Sequence, residues 1–85
     1  MEKLMEKPTF TFFLTTLGLQ ASIFLGDIPS PVTNKKEQNL NQAKFLIDTI
    51  YMLKEKTKGN LNEEESKLLE NLLHELQLRY AEVAK

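Results

Sequence analysis

From Pro8 to Gly26 the chain carries no charged residue, and Phe10, Phe13, Leu14, Leu17, Ala21, Phe24 and Leu25 recur at i, i+3, i+4 and i+7 spacing. At about 100° per residue these positions share one side of a helix. The pattern predicts a first helix over about 9–25, capped at its start by Thr9 and closed by Gly26, whose missing Cβ suits a left-handed terminal residue. Pro29 and Pro31 then bar its continuation.

The same helix carries a second apolar set. Phe12, Leu19 and Ile23 fall nearly opposite the first stripe, so one packing partner cannot cover both. Two readings are open: a central helix sandwiched by the rest of the chain, or a face that meets another subunit, which is the reading favoured here. Between the two stripes run Thr11, Thr15, Gly18 and Ser22, small enough to let a neighbouring helix backbone approach.

Residues 26–38 hold two prolines and a Thr-Asn-Lys-Lys cluster without periodicity, and predict a loop. A second helix is predicted over about 40–58, with Asn39 and Gln42 in capping-box spacing and Gly59 as its stop. Leu40, Ala43, Leu46, Ile47, Ile50, Tyr51 and Leu53 form its inner face, while Phe45 and Met52 sit a heptad apart on another side. With Phe12, Leu19 and Ile23, they make up the candidate interface.

A turn at 59–62 leads to a third helix over about 63–83, capped by Asn62 with Glu65 and opened by Glu63, Glu64 and Glu65, where the helix dipole favours negative charge. Leu68, Leu69, Leu72, Leu73, Leu76, Tyr80 and Val83 give it the most regular stripe in the chain. A connection this short predicts an antiparallel hairpin. The expected fold is therefore all-α, a single domain in which the apolar first helix packs on that hairpin.

Length and cysteine usage sharpen this picture. A chain of 85 residues buries only about 60 to 65% of the surface its unfolded form exposes. With no cysteine for a disulfide or the usual zinc ligand sets, oligomerisation is the expected source of further burial, giving a homo-oligomer, dimer or larger. The opening residues mix Glu2 and Glu6 with Lys3 and Lys7, unlike the positive start of an export signal, so a cytoplasmic location is expected. Six Thr, Ser and Gln side chains within residues 9–26 argue against a membrane span.

The net charge of −1 disfavours a dedicated nucleic-acid binder, although it is unevenly spread. Residues 39–58 carry four lysines against Asp48 and Glu55, and residues 59–85 carry three basic and six acidic side chains. Lys35, Lys36, Lys54, Lys56 and Lys58 are the only basic cluster to consider, without arginine or an aromatic platform beside them.

No catalytic constellation emerges. His74 follows Glu70 and Asn71 by a helical turn, but one histidine and one carboxylate are too few for a zinc site, and all three belong to the solvated side of the third helix. Ser22, Ser30 and Ser66 lack a companion base, and Gly18, Gly26 and Gly59 stand singly rather than in a phosphate-binding loop. No enzyme activity, cofactor or metal is expected.

The segment Leu53-Lys54-Glu55-Lys56-Thr57-Lys58-Gly59-Asn60-Leu61 followed by Glu64-Glu65 resembles a family of short bacterial proteins, the domain of unknown function 1844 family. Phe24-Leu25-Gly26-Asp27-Ile28-Pro29 with Pro31, then Asn39-Leu40, Ala43, Ile47-Asp48, Leu76 and Tyr80, are similar to its pattern in the same order. Asn34 stands where the family often has glycine, a swap that asparagine's tolerance of left-handed geometry allows. The resemblance implies no activity, cofactor or site residue. The functional expectation is thus a non-enzymatic interaction module that self-associates or meets an unknown protein partner. A peripheral membrane adaptor that presents the first helix is the alternative, and weak nucleic-acid binding comes third.

Overall fold

The computed structural model describes residues 8–84, so the mixed-charge opening read against export lies outside it. Three helices, α1 (Phe10–Leu25), α2 (Leu40–Lys56) and α3 (Glu63–Val83), each touch the other two, and no strand occurs among the described residues. The Cα trace is only 15 Å deep in its thinnest direction, about one helix beside another.

The helices begin where local chemistry places them. Thr9 Oγ1 accepts the Phe12 N–H at 3.0 Å and opens α1. At α3 the capping box is complete: Asn62 Oδ1 accepts from Glu65 N at 2.8 Å, and Glu65 Oε1 accepts from Asn62 N at 3.0 Å. At α2 only the forward half forms, Asn39 Oδ1 accepting from Gln42 N at 3.2 Å. The Asn39 N–H donates instead to Phe24 O at 2.7 Å, joining the start of α2 to the end of α1.

That bond completes an unusually full closure of the α1 C-terminus. A helix leaves its last four carbonyls without intrahelical partners. Here Gly26 N donates to Ile23 O and Asp27 N to Ser22 O, the two bonds of a Schellman motif with Gly26 left-handed at φ 88°. Asn39 N takes the Phe24 carbonyl, and Gln38 Nε2 takes that of Leu25 at 3.2 Å. The loop therefore returns to the helix it left.

Within the loop, Ser30 O accepts from Asn34 N at 2.8 Å and Ser30 N donates to Lys35 O at 2.9 Å, making a single closed turn. Asn34 ends it at φ 60°, the one non-glycine residue with positive φ among those described. The glycine-like role expected at this position is what its backbone performs.

The core is formed by Leu14, Leu17, Ala21 and Leu25 of α1, Ala43, Leu46, Ile47 and Ile50 of α2, and Leu69, Leu73 and Leu76 of α3. No polar side chain is buried among them, so the interior is held by apolar packing alone, at roughly 1.5–3 kcal/mol for each fully buried Leu or Ile. At Gly18, Leu72 of α3 approaches so closely that a Cβ there would lie 2.7 Å from Leu72 Cδ1. The small-residue stripe of α1 is thus occupied at Gly18 by a side chain of α3.

Three expectations need correction. Phe13 and Tyr51, assigned to inner faces, are 47% and 50% exposed, because each sits at the margin of its stripe where the neighbouring helix no longer covers it. Helix α2 also ends at Lys56 rather than Lys58. The Thr57 hydroxyl and amide both bond Leu53 O, and Asn60 N turns back to Thr57 O, so the chain leaves the helix before Gly59, which takes φ 84° in the turn.

Candidate functional site

Helix geometry sets out the candidate surface. On α1 the buried Leu14, Leu17, Gly18, Ala21 and Leu25 define one side, and Phe12, Leu19 and Ile23 lie across the helix axis from it. Phe12 is 46% and Leu19 53% exposed, and Ile23 is half-buried. The face is less polar than its composition implies. Thr15 Oγ1 donates to Thr11 O at 2.8 Å and Thr16 Oγ1 to Phe13 O at 2.7 Å, so neither hydroxyl has a proton left for an outside partner.

Near its C-terminal end this face runs into a dimple of about 210 Å³ lined by Gln20, Ile23, Phe24, Ser30 and Glu37. Ile23 and Phe24 supply its apolar floor from α1, and the hydrogen-bonded loop supplies Ser30 and Glu37.

Phe45 and Met52 are also exposed, at 67% and 45%. They lie opposite Ala43, Leu46, Ile47 and Ile50, so they point away from the shared core along α2's own outward direction. In three mutually touching helices these outward directions diverge. Phe45 lines a separate shallow depression with Asn39, Asn41 and Gln42. The five candidate residues therefore form two surfaces, one on α1 and one on α2.

The remaining polar candidates are dispersed. Glu70, Asn71 and His74 are exposed on α3, and among the described residues no group of three or more His, Cys, Asp or Glu side chains is placed to hold a metal ion. A cleft of about 300 Å³ where α2 meets α3 is lined by Lys54 and Lys58 together with Glu55 and Glu70, so its charges are mixed rather than basic. No described helix is long and apolar enough to cross a membrane.

One polar feature was missed by sequence reasoning. Arg79 of α3 pairs with Asp27, just beyond the α1 C-cap, through both carboxylate oxygens, with Nε to Oδ2 at 3.1 Å, and also donates to Glu82 Oε1 at 2.6 Å. The Arg79 hydrogen bonds hold the Asp27 carboxyl below its ordinary range against a smaller opposing effect of burial, and they raise Arg79 in turn. Only the turn at Gly26 brings these residues together, so no local spacing announces the pair. Lys44 and Asp48 form an ordinary i,i+4 pair at 3.0 Å, whose hydrogen bond raises the lysine.

These features define a small all-α domain with an apolar core and an uncharged outward face on its first helix. The family described as Domain of unknown function (DUF1844) matches residues 7–82, and the chain belongs to it. No curated protein and no solved structure matches it.

Proposed function

We propose that this protein is a non-enzymatic helical interaction module that associates with itself through the outward face of α1. The observation that carries the reading is the exposure of Phe12 and Leu19 on a helix without a single charge, beside threonines whose hydroxyls are already bonded to the backbone. Surfaces left to water normally mix charges among their apolar residues, and this one does not. A bacterial cytoplasmic setting fits a chain that has no cysteine and whose sequence resembles short bacterial proteins.

The test is solution mass by light scattering after gel filtration, at two concentrations about tenfold apart, for wild type and Leu19→Glu. Self-association predicts an oligomer in wild type and a folded monomer in the variant, with helicity by circular dichroism unchanged. An assembly indifferent to Leu19→Glu removes α1 from the interface.

The exposed Phe12 and Phe13 also favour a second reading, in which α1 rests on a lipid surface. A wild-type monomer that floats with vesicles of neutral and anionic lipid would favour that role over self-association, whereas a monomer that stays in solution would count against both.

A further inference from the structure

We propose that the cleft between the end of α2 and the start of α3 binds a small zwitterion with an apolar side chain, of the chemical class of an apolar α-amino acid. Its walls come from α2, the turn and α3, so the proposal is independent of the outward face of α1. The volume of about 300 Å³ stands at the lower edge of ligand pockets, about 300–1,000 Å³. It is about twice the roughly 150 Å³ that takes a benzene ring, which leaves room for one ring with its charged head group. Gly59 keeps the mouth clear, since it brings no side chain and a Cβ built there meets no atom within 4 Å.

Charge defines the ligand. Lys54 and Lys58 line the cleft together with Glu55 and Glu70, so its formal charges cancel. A simple anion or a simple cation meets as much repulsion as attraction there, whereas a molecule carrying one charge of each sign can meet both in register. The four groups are also uncommitted. Elsewhere on the described helices opposite charges close into pairs, Lys44 with Asp48, Lys67 with Glu63, and Arg79 with Asp27 and Glu82. None of the cleft's four makes an ion pair with another described residue, although Lys54 and Glu70 belong to the two helices that wall it. A zwitterion bridges that gap.

The neutral lining fits the same ligand. Thr15, Thr16, Thr49 and Thr57 each donate their hydroxyl to a carbonyl about one turn back. The half-buried Ser66 hydroxyl makes no such bond to a described residue, so its proton is free for a carboxylate. Lys54 supplies the matching charge. It is half-buried where Lys58 is exposed, so it gives up less side-chain freedom on binding. Glu70, from α3, accepts from the ammonium group. Leu61 and Leu69 provide the apolar surface against which the ligand's side chain rests.

Amide NMR of the isotope-labelled full chain tests the site. L-phenylalanine is titrated to about 20 mM, some tenfold above the low-millimolar Kd that partly solvated charges support. The expected result is a saturable shift confined to residues 54–61 and 66–70. Phenylpropanoate, which lacks the ammonium group, and phenethylamine, which lacks the carboxylate, should each bind about fivefold more weakly. No saturable shift, shifts centred elsewhere, or either analogue binding as tightly as phenylalanine overturns the proposal. Two variants assign the charges. Lys54→Met keeps the apolar stem and should bind phenylalanine and phenethylamine alike, and Glu70→Gln should bind phenylalanine and phenylpropanoate alike. Variants that discriminate as the wild type does overturn these assignments, and the three titrations of the unaltered chain test the site even where a variant folds poorly.

Discussion

Asp27 and Arg79, 52 residues apart in sequence, meet as a two-pronged ion pair that ties the end of α1 to the last turns of α3. In the Schellman motif, the position that Asp27 occupies commonly makes an apolar contact with its own helix. Here it is an acid whose partner lies on another helix, so the pair fixes how the loop leaves α1 as well as adding charge attraction.

Its pH dependence has a definite sign. The Asp27 carboxyl is held below the unfolded value of about 3.9, chiefly by the Arg79 hydrogen bonds. The contribution is therefore complete above that value and is lost as pH falls through the lower native one. The stability difference between wild type and Asp27→Asn should stay flat from about pH 8 to 5 and shrink toward zero in stronger acid. Urea unfolding across that range measures it, and a difference that grows on acidification contradicts the assignment. Added salt should reduce the difference at neutral pH, since the Arg79 side chain is about half exposed.

Gly26→Ala should cost about 1–2 kcal/mol in thermal or urea unfolding. The origin is conformational: φ is 88° there, while the nearest side-chain atoms, on Gln38, stand at an ordinary 3.5 Å from a built Cβ. Gly59→Ala, at φ 84° with nothing within 4 Å, should cost a similar amount. A loss at Gly26 several-fold larger would place the origin in crowding instead.

At Gly18 two effects of opposite sign compete. Alanine gains up to about 1 kcal/mol of helix propensity over glycine, but its Cβ meets Leu72 Cδ1 at 2.7 Å. That atom is the free end of a flexible side chain, so Gly18→Ala should change stability by no more than about 1 kcal/mol either way. Gly18→Val, bulkier and stiffer, should lose about 1–3 kcal/mol. The loss should be smaller in a Leu72→Ala background, and a double-mutant cycle without coupling would contradict this contact.

Core and surface apolar residues should separate cleanly. Leu14→Ala and Ile50→Ala, at fully buried positions, should each cost about 2–5 kcal/mol. Phe45→Ser, on the outward side of α2, should change unfolding free energy by no more than about 0.5 kcal/mol. A large loss at Phe45 would mean that its face is covered in solution, which gel filtration of the variant would register.

Much of the architecture could be read from local chemistry. Thr9, Asn39 and Asn62 open helices because a side-chain oxygen three residues before a free N–H can accept from it, and Gly26 closes one because its φ requires no Cβ. Those effects act within a turn of chain, as does the 3.6-residue period that picked out Leu14, Leu17, Ala21, Ile47, Ile50, Leu69 and Leu73 for the core. Periodicity also set Phe12, Leu19 and Ile23 opposite that core.

What the period cannot specify is how far a neighbouring helix reaches around each stripe. Phe13 and Tyr51 lie at margins, and only the packing of the three helices left them half in water. Tertiary structure likewise turned the Asn39 amide from a local capping box to Phe24, brought Gln38 to the end of α1, set Leu72 against Gly18 and paired Arg79 with Asp27. Each of these joins groups with no fixed spacing in the chain. Their partners are settled by which surfaces the apolar core draws together, because helix faces determine what is buried and only the assembled core determines which polar groups then meet.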